Sequence, residues 1–139
     1  MTSSIQRYNL ILAEARDGVW SRGLEAVLAP LPVELHWSHA DGEAIDLAAS
    51  GRMHLAIVDD ALPTAGGLDT LRRFRSLGLG LPCLLVSQSP TDRLLSEAIR
   101  LDAFSVISAM SAPETMARLV ATMLQRAYDF EGPTTNTFQ

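Results

Sequence analysis

The chain contains no lysine: all eleven of its basic side chains are arginines. Chemistry that relies on a compact ammonium beside a buried anion must find another donor, because guanidinium is a planar fork rather than a point charge. There is one cysteine, Cys83, so an internal disulfide is excluded. It follows Pro82 and opens the apolar run Leu84-Leu85-Val86, which predicts a buried structural thiol. No apolar run approaches the roughly 20 residues of a membrane-spanning helix. The opening Met1-Thr2-Ser3-Ser4 lacks the basic and apolar regions of a secretory signal. These absences set the expectation of a cytoplasmic protein with no membrane partner. The formal charge of −5 removes any general attraction to nucleic acid.

What is present is a single core. The 139 residues are 47% apolar, which fits one domain. Asn9 to Ala13 is a short buried run and predicts a first strand. Trp20, Leu24, Val27 and Leu28 share a helical face that Pro30 and Pro32 end. Val33 to Trp37 alternates at period two, as a half-exposed strand does. Asp41 is the expected cap of the next helix, with Ala44, Ile45 and Ala48 inward and Gly51 past its end. Leu55 to Val58 is apolar on both faces, the mark of a central parallel strand. Pro63 and Gly66-Gly67 make a loop before a helix that starts near Leu68. A fourth strand, Cys83 to Val86, leads to a helix from Thr91 or Asp92 to Arg100. Ser105 to Ile107 is a fifth strand, and Pro113 opens a last helix striped by Met116, Leu119, Val120, Met123 and Leu124. Five strand–helix alternations with right-handed crossovers give an α/β fold, a parallel sheet covered on both faces.

The chemistry-bearing residues are few. Asp59-Asp60 ends the third apolar run, and Ser87 ends the fourth. His36, His39 and His54 have no metal-ligand spacing and are expected to be solvated or capping. Gly78-Leu79-Gly80 precedes a strand, the wrong context for a nucleotide fingerprint. Arg72, Arg73 and Arg75 are expected on an exposed helix face.

The stretch Leu55 to Leu68 resembles the strand-Asp-x-x-x-Pro-x-x-x-Gly segment of the receiver domains of bacterial two-component response regulators. Leu84 to Ser87 and Ala98 to Glu114, with its Pro113-Glu114, resemble two further landmarks of that family. The resemblance covers roughly residues 8 to 128. It implies a doubly wound, flavodoxin-like five-stranded parallel sheet of order 2-1-3-4-5. The domain is set at 8–129 after an N-terminal arm at 1–7, and the polar composition of the end of the chain predicts a disordered tail at 130–139. The resemblance implies Asp59 as phosphoacceptor and Ser87 as the switch hydroxyl. Mg²⁺ would be held by Glu14, Asp59 and the Ala61 carbonyl, weakly, because the family's acidic pair falls on Glu14-Ala15. The family's lysine falls on Ala109, or on Ser108 after a shift by one. Its aromatic switch position falls on Val106, or on Ser105 after the same shift, and the residue after the lysine becomes Met110.

Phosphoryl transfer to a carboxylate needs the transferred oxygens neutralised, and alanine supplies neither donor nor charge. Arg16 and Arg93 are the arginines in sequence reach of the strand ends. The expectation is therefore an atypical receiver with no catalytic residues, weakly or not phosphorylated. It would act through protein contacts with a signalling partner or a histidine kinase, or with a second copy as a homodimer. Leu94, Leu95, Ile99 and Val106 are candidates for that surface. A working phosphoacceptor is the alternative, and a small hydrolase using Ser87, Asp59 and a histidine is the third reading.

Overall fold

Strand and helix alternate along the whole described chain. The computed structural model describes residues 7–15, 20–63 and 65–128. In order come β1 (Tyr8–Ala13), α1 (Ser21–Leu28), β2 (Val33–Ser38), α2 (Asp41–Ala49), β3 (Leu55–Asp59), α3 (Gly66–Ser76), β4 (Cys83–Ser87), α4 (Asp92–Arg100), β5 (Ser105–Ser108) and α5 (Pro113–Tyr128). The five strands form one parallel sheet in the order β2-β1-β3-β4-β5. The expected tail at 130–139, the first six residues of the arm and Arg16 lie outside the described residues.

Period two decides what each face of the sheet carries. Leu10 and Leu12 of β1, Leu55 and Ile57 of β3, and Leu84 and Val86 of β4 point to the face covered by α1 and α5. There they meet Leu24, Leu28, Met116, Val120 and Leu124. Ile11, Ala13, Ala56, Val58, Cys83 and Leu85 point to the other face and pack on Ala44, Ile45, Leu71, Phe74 and Ala98. Both sides of β3 and β4 are buried, so their sequences show continuous apolar runs. β2 is an edge strand and is only partly buried.

Two glycines set close approaches that no other residue would allow. A Cβ on Gly67, at the start of α3, would lie 2.8 Å from the Asp59 carbonyl oxygen and 2.6 Å from Leu85 Cδ1. A Cβ on Gly23 of α1 would lie 2.8 Å from Pro113 Cγ, at the start of α5. Gly67 therefore brings α3 down onto the end of β3, and Gly23 brings α1 against α5.

The structure departs from the sequence reading at three places. Gly66 and Gly67, expected in a loop, are the first two residues of α3. Ala40, not Asp41, is the residue before α2; Asp41 is already helical and bonds the Gly42 N–H, with Arg73 3.7 Å from its other oxygen. Arg72 and Arg73 are exposed, but Arg75 is not part of an exposed face. Its guanidinium donates to the carbonyls of Leu79, Leu81, Leu101 and Asp102, stitching the loops before β4 and β5 together. Cys83 is buried as expected, and burial pushes its thiol up to about 12.

Candidate functional site

In an open parallel sheet, the crevice outside the carboxyl ends of the strands, where the strand order reverses, is where groups converge. Here that point lies between β1 and β3. Register aligns Ala13 with Val58, Asp59 with Val86 and Ser87 with Ser108. Glu14, Asp59, Ser87 and Ala109 thus stand in a row at one end of the sheet. Period two also gives them a face: Glu14 continues Leu10 and Leu12, and Asp59 continues Leu55 and Ile57. Both carboxylates turn toward α1.

Both are buried, Glu14 at 2% exposure and Asp59 at 5%. A buried carboxylate without partners is costly, so the donors matter. Glu14 Oε2 accepts the Trp20 backbone N–H at 2.9 Å, and Glu14 Oε1 accepts the Ser21 hydroxyl at 2.6 Å. The first turn of α1 has no acidic residue of its own, and Glu14 supplies the negative charge that the helix N-terminus favours. Asp59 Oδ1 accepts the Ala61 backbone N–H at 2.8 Å, and Asp59 Oδ2 accepts the Trp20 indole N–H at 3.0 Å. Each of the four carboxylate oxygens therefore has a protein donor. Trp20 serves both acids, one with its backbone and one with its ring, and is 3% exposed.

The rest of the row is accounted for as well. Ser87 Oγ accepts the Ser89 backbone N–H at 3.1 Å. Asp60 lies beyond the strand and is partly buried. Its carboxyl is raised above the usual value, first by burial and then by the Asp59 charge, while the Ser87 side chain pulls the other way. Ala109 is buried in the same cluster as Trp20, and its N–H donates to the Ser87 carbonyl at 2.8 Å. Arg93 points along its own helix to Glu97 at 3.2 Å rather than over the strand ends. The histidines are engaged elsewhere: His39 Nδ1 with the Glu14 carbonyl, His36 Nε2 with the Asn9 side chain, and His54 Nδ1 with the Asn9 N–H. Among the described residues no Ser–His pairing of a hydrolase is assembled from them.

Sequence reasoning placed Glu14, Asp59, Ser87 and Ala109 and missed Trp20, which it assigned only to the core. A signal was there. Period two turns both carboxylates toward α1, and Trp20 is the ring donor at that helix's start.

No family model matches the sequence, and no curated protein matches it. Solved structures do match. The receiver domain of a protein described as a Luxo repressor from Vibrio parahaemolyticus superposes with a TM-score of 0.82 at 18% identity, over 88% of this chain and 93% of that one. The signal receiver domain of an HD domain-containing protein from Pseudomonas fluorescens Pf-5 gives 0.79 at 22%, over 90% and 100%. A CheY-like receiver domain protein from Methanospirillum hungatei JF-1 gives 0.77 at 19%, over 93% and 100%. The chain has the receiver fold.

That fold implies Mg²⁺ at the acidic end of the sheet. The residues present do not fit the ion as arranged. Mg²⁺ demands near-octahedral oxygen ligands at about 2.0–2.1 Å. The oxygens of Glu14 and Asp59 instead face N–H and O–H donors at hydrogen-bond distance. At Ala61 it is the N–H, a donor, that meets Asp59. Among the described residues, no three His, Cys, Asp or Glu side chains gather as a metal site would require.

Proposed function

We propose that this chain is a receiver-fold signalling module that works through protein–protein contact, with weak or no phosphorylation of Asp59. The observation that carries the reading is the state of the acceptor site. Asp59 has both oxygens occupied by internal donors, and Ala109 stands where the family places an ammonium. An incoming phosphoryl group would bring negative oxygens toward two buried carboxylates with no fixed cation among the described residues to balance them. Ser87 is an unused switch hydroxyl in this reading, and Glu14 and Ala61 are structural groups rather than metal ligands.

The contact surface is the face made by α4 and the end of β5. Only Ala98 of α4 is fully buried, while Leu95 and Ile99 are 40% and 49% exposed. Met110, just past β5, is 79% exposed. Adjacent exposed apolar side chains mark an interaction surface better than scattered ones do. A second copy or a signalling partner such as a histidine kinase would cover it.

Equilibrium sedimentation tests this with wild type, Asp59→Asn and Leu95→Glu/Ile99→Glu, each with and without acetyl phosphate and Mg²⁺. Association should be unchanged by the phosphodonor and by Asp59→Asn, and should be lost in the charged double variant. Intact mass should show no one-phosphate increase in wild type. Association that appears only with the phosphodonor, and disappears in Asp59→Asn, would establish the working phosphoacceptor instead.

A further inference from the structure

The disagreement between the acidic pocket and the ion its fold implies points to a specific device. We propose that Trp20 is a built-in occupant of that pocket, an autoinhibitory lock whose two N–H groups close Glu14 and Asp59 against divalent cations and phosphoryl donors. The inference rests on the reading of the chain as a module that works without phosphorylation, and it adds the residue that enforces this.

A single residue bridges two buried acids at the ends of different strands: its backbone N–H meets Glu14 Oε2 at 2.9 Å and its indole N–H meets Asp59 Oδ2 at 3.0 Å. Ser21 adds a third donor from the same helix turn, at 2.6 Å from Glu14 Oε1. The start of α1 is thereby tied to the ends of β1 and β3. Neutral donors stabilise an anion without cancelling its charge, so the pocket keeps its negative potential while its oxygens lose access to solvent. The ring itself is held in the cluster that contains Ala109, Met116 and Val120. Gly23, two residues into α1, is pinned against Pro113, which leaves the helix little room to swing away. A cation or phosphoryl group reaching Asp59 Oδ2 must first displace the indole.

The lock makes the two side chains energetically dependent on each other. A double-mutant cycle of Trp20→Phe and Asp59→Ala, followed by urea unfolding, reads that dependence. The expected coupling is at least about tenfold in the unfolding equilibrium constant, the range of a hydrogen bond to a charged group. Additive effects would overturn the proposal. Should the Phe variant not fold, the native protein still reports. In the ¹H–¹⁵N spectrum the Trp20 indole proton should exchange with solvent far more slowly than that of Trp37, and should move on Asp59→Ala. Equal exchange rates, or no movement, would overturn it.

Titration with Mg²⁺ alone supplies the second arm. In a Trp37→Phe background Trp20 is the sole tryptophan, and its emission should stay unchanged into the millimolar range. A saturable change at lower concentration would mean the ion displaces the ring, against the proposal. The failures of the two readings are distinguishable. Additivity together with phosphate-independent association removes the lock and leaves the module. Strong coupling together with a phosphorylated Asp59 removes both, because the ring then fails to exclude the donor.

Discussion

Removing Glu14 separates a structural acid from a functional one by the sign of the stability change. An acid kept for a metal or a phosphoryl group is a strained resident: it sits beside the Asp59 charge, and its deletion relieves repulsion. An acid that caps a helix behaves in the opposite way. In Glu14→Ala the Trp20 N–H and the Ser21 hydroxyl lose their acceptors in a site that water reaches poorly. Each orphaned buried donor costs about 1–3 kcal/mol. Loss of the negative charge at the start of α1 adds about 0.3–1 kcal/mol. Relief of the repulsion with Asp59 and entry of water into the vacated space oppose these terms. The net expected loss is about 2–4 kcal/mol, a large share of the roughly 5–15 kcal/mol that holds a domain of this kind together.

Glu14→Gln sharpens the test. Its amide oxygen still accepts from Trp20, and its amide nitrogen donates to Ser21 Oγ, so the shape and both contacts survive while the charge does not. The loss should be about half that of the alanine variant, roughly 1–2 kcal/mol. Urea unfolding of the three proteins provides the measurement. With a slope of about 1–3 kcal/mol per molar, the alanine midpoint moves down by about 1–2 M. A midpoint that rises in either variant, or an alanine loss below about 1 kcal/mol, would refute the capping role and return Glu14 to the function of a ligand.

Two other predictions test what positions the site. In Gly67→Ala the new methyl meets two backbone atoms, the Asp59 oxygen at 2.8 Å and the Asp60 Cα at 3.0 Å, which cannot move independently. The variant should lose about 1–3 kcal/mol, whereas Gly42→Ala, with nothing within 4 Å, should be neutral or slightly stabilising; equal thermal midpoints for the two would refute the close packing of α3 on β3. At the opposite end of the sheet, His54 Nδ1 accepts the Asn9 N–H at 2.9 Å, and burial lowers the ring's pKa. A base whose folded pKa is depressed contributes stability that is complete above its unfolded value, near pH 6.5, and is lost as pH falls toward the folded value. Thermal midpoints from pH 7.5 to 5 should therefore fall more steeply in wild type than in His54→Gln; parallel slopes would remove His54 from the acid response.

The fold was legible because burial writes it into the residues. The runs Leu55 to Val58 and Cys83 to Val86 are apolar throughout since both faces of β3 and β4 are covered, and the weaker alternation of Val33 to Trp37 marks β2 as an edge. The strand ends were legible too, because Asp59 and Ser87 follow directly on those runs. What sequence could not give was the partner of each charge. Trp20 has an apolar body that satisfies a core assignment completely, and its one polar atom meets an acid 39 positions away in the chain. Arg75 misled for the related reason that a charged helix residue reads as exposed until the loops that follow α3 and α4 fold back onto it. In each case the pairing depends on tertiary closure, which local pattern does not encode.

The missing lysine and the seated tryptophan have a common physical root. Asp59 is buried at the end of β3 whatever its function, and a buried carboxylate must be answered by donors. An ammonium answers it with opposite charge and leaves an oxygen accessible to a reaction partner. An indole answers it with a dipole, closes the oxygen sterically, and leaves the negative charge in place. The first arrangement lowers the barrier for an anionic phosphoryl group to arrive; the second raises it, because the approaching oxygens meet an undiminished carboxylate charge behind an apolar ring. With Ala109 at the end of β5 and Trp20 at the start of α1, the sheet keeps the receiver topology while, in the proposed reading, the electrostatic condition for phosphoryl transfer is reversed. On that proposal the same interior holds one rigid shape for a partner to read, which requires no charge to be added.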